Sequence, residues 1–95
     1  MPAYAIVRVD VHDNAAYDKY KEIASKAVRD AGGRFLVRGG EQHIKEGTTR
    51  ERIVVVEFPD LERANSFYEG ELYQQALAHA LPDASTRDYV IVEGA

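Results

Sequence analysis

Residues 3–11 read AYAIVRVDV, and their two-residue alternation decides the fold. Successive side chains of a strand point to opposite faces, so Ala5, Val7 and Val9 share one face while Tyr4, Ile6, Arg8 and Asp10 share the other. The first set is small and wholly apolar, suited to lie beneath helices. RIVVVEF, residues 52–58, repeats the contrast, with Val54, Val56 and Phe58 against Ile53, Val55 and Glu57. YVIVE, residues 89–93, is read in the same phase, placing Val90 and Val92 under the helices and Tyr89, Ile91 and Glu93 on the mixed face. That mixed face is too apolar for water.

Between these strands the period changes. From Ala15 to Ala31, apolar Ala16, Tyr20, Ile23, Ala24, Ala27, Val28 and Ala31 recur at helical spacing, and Asp18, Lys19, Glu22, Lys26, Arg29 and Asp30 take the other side. His12, Asp13 and Asn14 supply a turn and an N-cap before this helix, and Gly32 and Gly33 end it. RFLVR, residues 34–38, is a second strand; Gly39 and Gly40 mark a bulge or bend, after which pairing could resume through 42–45 before the polar turn EGTTRE. Pro59 stops the third strand, Asp60 caps a second helix on Leu61, Ala64, Phe67 and Tyr68, and Gly70 breaks it before a helical piece running from Glu71 to Leu81. Pro82 and a polar loop containing Asp83, Ser85 and Thr86 lead to the last strand.

The order β, α, β, β, α, β contains two right-handed crossovers and folds most simply as a single α+β domain over 1–95. The expected fold is ferredoxin-like: a four-stranded antiparallel sheet with both helices on one face. The open face, comprising Tyr4, Ile6, Arg8, Ile53, Val55, Glu57, Tyr89 and Ile91, then calls for a partner, and a second copy across a two-fold axis is the simplest. A chain of this length leaves a large share of its surface wet, so such burial matters for stability. Arg8, Asp10, Glu57 and Glu93 would form a paired network in the interface or line a polar cavity there.

Composition excludes several classes. Without cysteine there is no disulfide, thiolate metal site or cysteine nucleophile. At net charge −4, with both signs interspersed, no basic stripe awaits a nucleic acid. No apolar run reaches membrane-spanning length and the N-terminus lacks a leader pattern, so the expected location is cytoplasmic. His12, His43 and His79 show no ligand spacing, so neither a metal nor a cofactor is expected. No GxSxG elbow, phosphate loop or dinucleotide fingerprint occurs. The third strand lacks the stacking aromatics of RNA-recognition domains, and HDNAAY replaces the anion loop that acylphosphatases carry after strand one.

Two constellations retain chemical interest. Arg34 and Arg38, flanked by glycine pairs, could cradle an anion, or the glycines serve only as helix cap and strand bulge. Tyr17, Tyr20, Tyr68 and Tyr73 fall where the helices meet the sheet, either as core hydrogen-bonders or around a pocket for a planar, partly polar molecule.

The runs GGRFLVRGGE, VVEFP, FYEGELY and VIVEG, with the tyrosine pair of DNAAYDKY, resemble the bacterial family of domain of unknown function 1330. The resemblance covers nearly the whole chain. It implies membership of the dimeric α/β-barrel superfamily, in which two ferredoxin-like sheets face one another, and it assigns no biochemical role. By its motifs, Tyr17, Tyr20, Arg34, Arg38, Tyr68 and Tyr73 would surround any pocket. Where the family often shows a helical arginine this chain reads ALAHAL, with His79 or Ala80 in its place, which weakens any anion contact inherited from that helix.

The functional expectation is a homodimeric small-molecule-binding or accessory module. The alternatives are a cofactor-free enzyme, monooxygenase- or isomerase-like, on small aromatic or lactone-like substrates, and a module that recruits a different protein.

Overall fold

The computed structural model describes residues 1–95. The elements are β1 (Ala3–Val11), α1 (Asn14–Asp30), β2 (Arg34–Arg38), β3 (Arg52–Phe58), α2 (Leu61–Glu69), α3 (Glu71–Ala80) and β4 (Ser85–Glu93). The strands form one antiparallel sheet in the order β2-β3-β1-β4. No helix is long and apolar enough to cross a membrane.

Local chemistry sets the helix ends. The Asp13 carboxylate accepts from the Ala16 amide at 3.1 Å, and the Asp60 carboxylate accepts from the Arg63 amide at 2.8 Å, each satisfying an amide that has no partner in the first turn. Gly32, at φ +75°, turns the chain out of α1, and the Gly33 amide donates back to the Val28 carbonyl at 2.9 Å. Gly70 separates α2 from α3, as the sequence suggests.

The helices cover one face, and alanines let them approach the sheet closely. Ala3, Ala5, Val9 and Phe58 from the sheet meet Ala64, Ala76 and Ala80 from the helices, none more than 1% exposed. The phase read for β1 and β3 therefore holds: Ala5, Val7, Val9, Val56 and Phe58 are buried on the helix side.

Strand β4 corrects the sequence reading. It begins at Ser85, where Ser85 pairs with Val11, and the register runs through Arg87 opposite Val9, Tyr89 opposite Val7 and Ile91 opposite Ala5. Directly opposed residues of an antiparallel pair share a face. Tyr89 and Ile91 thus lie under the helices and pack against the core, while Val90 and Val92, 56% and 44% exposed, join Ile6 and Val55 on the open face. The reason is that YVIVE is apolar on both sides and carries no phase of its own; β1 imposes it.

Two smaller differences concern β2. The register slips between Phe35 and Val37, inside the strand rather than at the glycines. No strand resumes over 42–45; Gln42 instead donates to the carbonyls of Arg50 and Glu51 at 3.1 and 2.9 Å, tying the connection back on itself.

Candidate functional site

Helix α1 and the sheet enclose a cavity of about 50 Å³. Tyr17 and Tyr20 stand three residues apart on α1 and so present adjacent rings, 4.9 Å between centroids. Tyr73 from α3 meets Tyr20 edge-on at 6.0 Å, and Tyr89 from β4 lies 5.9 Å from Tyr73. The remaining wall includes Val7, Val54 and Val56 from β1 and β3 and Phe35 and Arg38 from β2, with Arg52 at the start of β3.

Polar groups punctuate this apolar wall. Arg38 lies 4.2 Å over the Phe35 ring and donates to Ser25 Oγ at 2.6 Å. Val9 has Arg52 opposite it on β3 and Arg87 opposite it on β4, so two arginines flank a buried valine on the helix side of the sheet. Arg87 lies just behind the cavity wall, 4.6 Å over the Tyr20 ring, and its Nη2 donates to the Tyr20 and Tyr73 hydroxyls at 2.8 and 3.1 Å. Those hydroxyls also bond each other at 2.9 Å. Between them they own two hydrogens and use one, which leaves one O–H as a donor without a protein acceptor.

Two further donors are unmatched. The Nε–H groups of Arg52 and Arg87 are buried and make no hydrogen bond. Leaving a buried donor unmatched costs about 1–3 kcal/mol, and more where the group is charged, so each of these N–H groups calls for a partner from outside the chain. Gly39, at φ +71°, is where the chain passes the Arg52 guanidinium, and a Cβ there would collide with it. The left-handed backbone requires glycine at this position, and a side chain there would also push the Arg52 guanidinium aside.

Burial governs the ionisation of the tyrosines. Desolvation pushes Tyr17 and Tyr73 up to about 12 and raises Tyr20 and Tyr89 as well, so all four are neutral hydroxyls at physiological pH. Burial disfavours the Arg87 cation and its hydrogen bonds to the tyrosine oxygens favour it; as a guanidinium it stays charged.

Of the residues expected from the sequence, the structure brings Tyr17, Tyr20, Arg38 and Tyr73 into one wall. It does not bring Arg34 or Tyr68 there. Arg34 projects on the opposite face, where Nε pairs with Glu57 at 3.0 Å, because its position in β2 is opposite Glu57 in the register. Tyr68 packs outside the wall, 5.3 Å from Tyr73 and 4.9 Å from Tyr89. Sequence reasoning missed Arg52, Arg87 and Tyr89. Arg52 was detectable, since it continues the helix-side phase of Val54, Val56 and Phe58.

The open face holds Ile6, Ile53, Val55, Val90 and Val92 inside a frame of ion pairs. Arg50 bridges Asp10 at 2.9 Å and Asp88 at 2.8 Å, Arg8 reaches Asp88 at 3.2 Å, and the Tyr4 hydroxyl donates to Glu57 at 3.2 Å. A hydrogen bond from the Glu51 amide and the adjacent Arg50 hold Asp10 below the usual carboxylate range; Arg50 does the same for Asp88. Of the network expected from Arg8, Asp10, Glu57 and Glu93, Arg8 and Asp10 are joined within one chain through Asp88 and Arg50, which the sequence did not disclose. Glu57 pairs separately with Arg34 and Tyr4, and Glu93 takes no part, because the β4 register sets it opposite Ala3 on the other face.

A four-stranded antiparallel sheet with its helices on one face and a mixed apolar face opposite defines a ferredoxin-like α+β domain. The chain belongs to the family described as Domain of unknown function (DUF1330), whose model matches residues 2–95. Solved structures share the fold at low identity. A protein of unknown function from Rhodopseudomonas palustris superposes with a TM-score of 0.75 at 14% identity, over 99% of this chain and 82% of its own. A dimeric protein of unknown function and ferredoxin-like fold from Bacteroides fragilis gives 0.65 at 14% identity, covering 98% and 96%. A dimeric ferredoxin-like protein of unknown function from Jannaschia gives 0.65 at 15%, covering 95% and 98%. No curated protein matches the chain in sequence.

Proposed function

We propose that this chain is one subunit of a homodimer that binds a small molecule between its helices and its sheet. The observation that carries the reading is the aromatic-walled cavity beside α1, whose polar groups include donors the protein itself does not use. Apolar walls with a few convergent polar groups are the ordinary composition of a ligand site.

The dimer rests on the open face. A surface carrying both signs of charge around an apolar centre is self-complementary across a two-fold axis, because each cation can meet the partner's anion. Val90 and Val92 take the interface roles expected of Tyr89 and Ile91, beside Ile6, Ile53 and Val55. Apolar burial contributes roughly 25 cal/mol per Å², so a few hundred Å² adds several kcal/mol before association costs are subtracted. Two sheets packed in this way close an α/β barrel with the ligand cavities on its outer, helical side.

Light scattering on the purified protein tests the assembly: a dimer is expected, and a monomer at micromolar concentration overturns it. A thermal-shift screen of small organic molecules tests the binding role, with hits carried into turnover assays. Saturable binding without turnover is the expected result; turnover would move the chain to the cofactor-free enzyme class instead.

A further inference from the structure

The arginines on the strands and at their ends sort by face. Those on the open face, Arg8, Arg34 and Arg50, each hold a carboxylate. Those on the helix face, Arg38, Arg52 and Arg87, hold none, although the chain as a whole carries an excess of negative charge. The cavity is lined by Lys21, Arg38 and Arg52 and by no aspartate or glutamate. Lys21 already meets Asp18 at 3.2 Å, outside the wall. The site therefore presents two uncompensated guanidinium groups, one with a buried and unused Nε–H, beside hydroxyls that burial keeps protonated.

Every polar group available there can donate, the two guanidinium groups only donate, and no carboxylate balances their charge, so the site favours an anion. The size of the cavity narrows the class further. At about 50 Å³ it is a third of the 150 Å³ or so that accommodates benzene in an engineered core. So small a space favours the shortest carboxylates, acetate and propionate, which are narrower and have fewer heavy atoms than a benzene ring. Val7, Val54 and Val56 offer such a ligand an aliphatic floor, and Arg52 and Arg38 stand at its polar end.

We propose that the cavity takes a small aliphatic monocarboxylate, with Arg52 as the principal anion contact and Arg38 as the second. The inference rests on the reading of this cavity as a ligand site and assigns its chemical class. Gly39 belongs to the device, since it is the absence of a side chain there that lets the Arg52 guanidinium take its position.

The test titrates sodium propionate into the full chain at constant ionic strength set with sodium chloride. It follows the melting temperature and the Arg52 Nε–H resonance, identified by its loss in Arg52→Gln. A saturable rise in melting temperature and a shift of that resonance are expected. Propionamide, neutral and of the same shape, should bind at least about tenfold more weakly, as should propionate to Arg52→Gln; Arg52→Lys should recover part of the affinity. Glu46→Gln, on the exposed connection between β2 and β3, should change nothing. Equal binding of propionamide and propionate overturns the carboxylate assignment while leaving a ligand site in place. Propionate binding that survives Arg52→Gln, with the resonance unmoved in the native protein, overturns the role of Arg52. If propionate, propionamide and benzoate all fail to bind, the cavity is not a ligand site and both readings fall.

Discussion

Replacing Tyr20 and Tyr73 together by phenylalanine removes both hydroxyls to which Arg87 Nη2 donates, at 2.8 and 3.1 Å, and leaves the rings and their packing in place. The informative comparison is the effect of Arg87→Met with and without those hydroxyls. In the native background the substitution gives up two charge-assisted hydrogen bonds, each worth about 1.5–3 kcal/mol, and gains an apolar side chain of similar reach, for an expected net loss of about 1–3 kcal/mol. In the Tyr20→Phe/Tyr73→Phe background there are no such bonds to lose. The guanidinium is then a largely desolvated cation whose protein acceptors are gone, and deleting it should stabilise the fold by about 1–3 kcal/mol. The sign of one substitution reverses between backgrounds. For a domain of this size each kcal/mol moves the melting temperature by about 4–8 °C, so thermal and urea denaturation of the four proteins resolves it readily. If Arg87→Met destabilises both backgrounds alike, the tyrosine hydroxyls are not what holds Arg87, and the account of this cluster is wrong.

Further outcomes are expected. Val90→Asp on the open face should leave the subunit folded and convert the dimer to monomer in light scattering, whereas Ile91→Asp, one residue along, should abolish folding as judged by circular dichroism, because it puts a charge under the helices. Gly39→Ala and Gly47→Ala sit at φ +71° and +73° and should lose similar stability, about 1–2 kcal/mol from the backbone, but only Gly39→Ala should weaken propionate binding, because it displaces Arg52. Asp10 and Asp88 have depressed folded-state values, so their contribution is present above the ordinary carboxylate range near pH 4 and is lost as pH falls through it; Asp10→Asn/Asp88→Asn should flatten the acid limb of the stability profile. Tyr17 and Tyr73 are raised to about 12, so stability should decline as pH climbs from about 10, where unfolded tyrosines ionise, toward 12, and tyrosinate absorbance should appear later in the folded protein than in urea.

The parts of this molecule that the sequence disclosed are those with an asymmetric pattern. In β1 and β3 the two faces differ in composition, so Val7 and Val56 could be placed without coordinates. In β4 both faces are branched and apolar, and the phase is fixed by pairing between Val11 and Ser85, a residue that reads as loop because Ser85, Thr86, Arg87 and Asp88 are all polar. The same misreading concealed Arg87. Tyr17 and Tyr20 were visible because helical spacing puts them on the buried side of α1, and Tyr73 because it is an aromatic hydroxyl in the helical segment after Gly70. Arg38 was found for a partly mistaken reason: the glycine beside it, Gly39, makes room for Arg52 rather than forming a nest for Arg38 itself. Arg34, four residues earlier, cannot share the site, because the slip at Leu36 puts the two arginines on opposite faces.

That slip also bears on how the protein behaves when crowded. Sheets polymerise by adding strands at free edges, and this sheet has two, β2 and β4. Strand β2 is five residues long and out of step with itself midway, a poor template for a newcomer, whereas β4 offers nine uninterrupted residues. A molecule with one receptive border and one refractory border can satisfy a single neighbour through its backbone and then has nothing left to extend. Edge addition would then end at a pair instead of extending into a fibre.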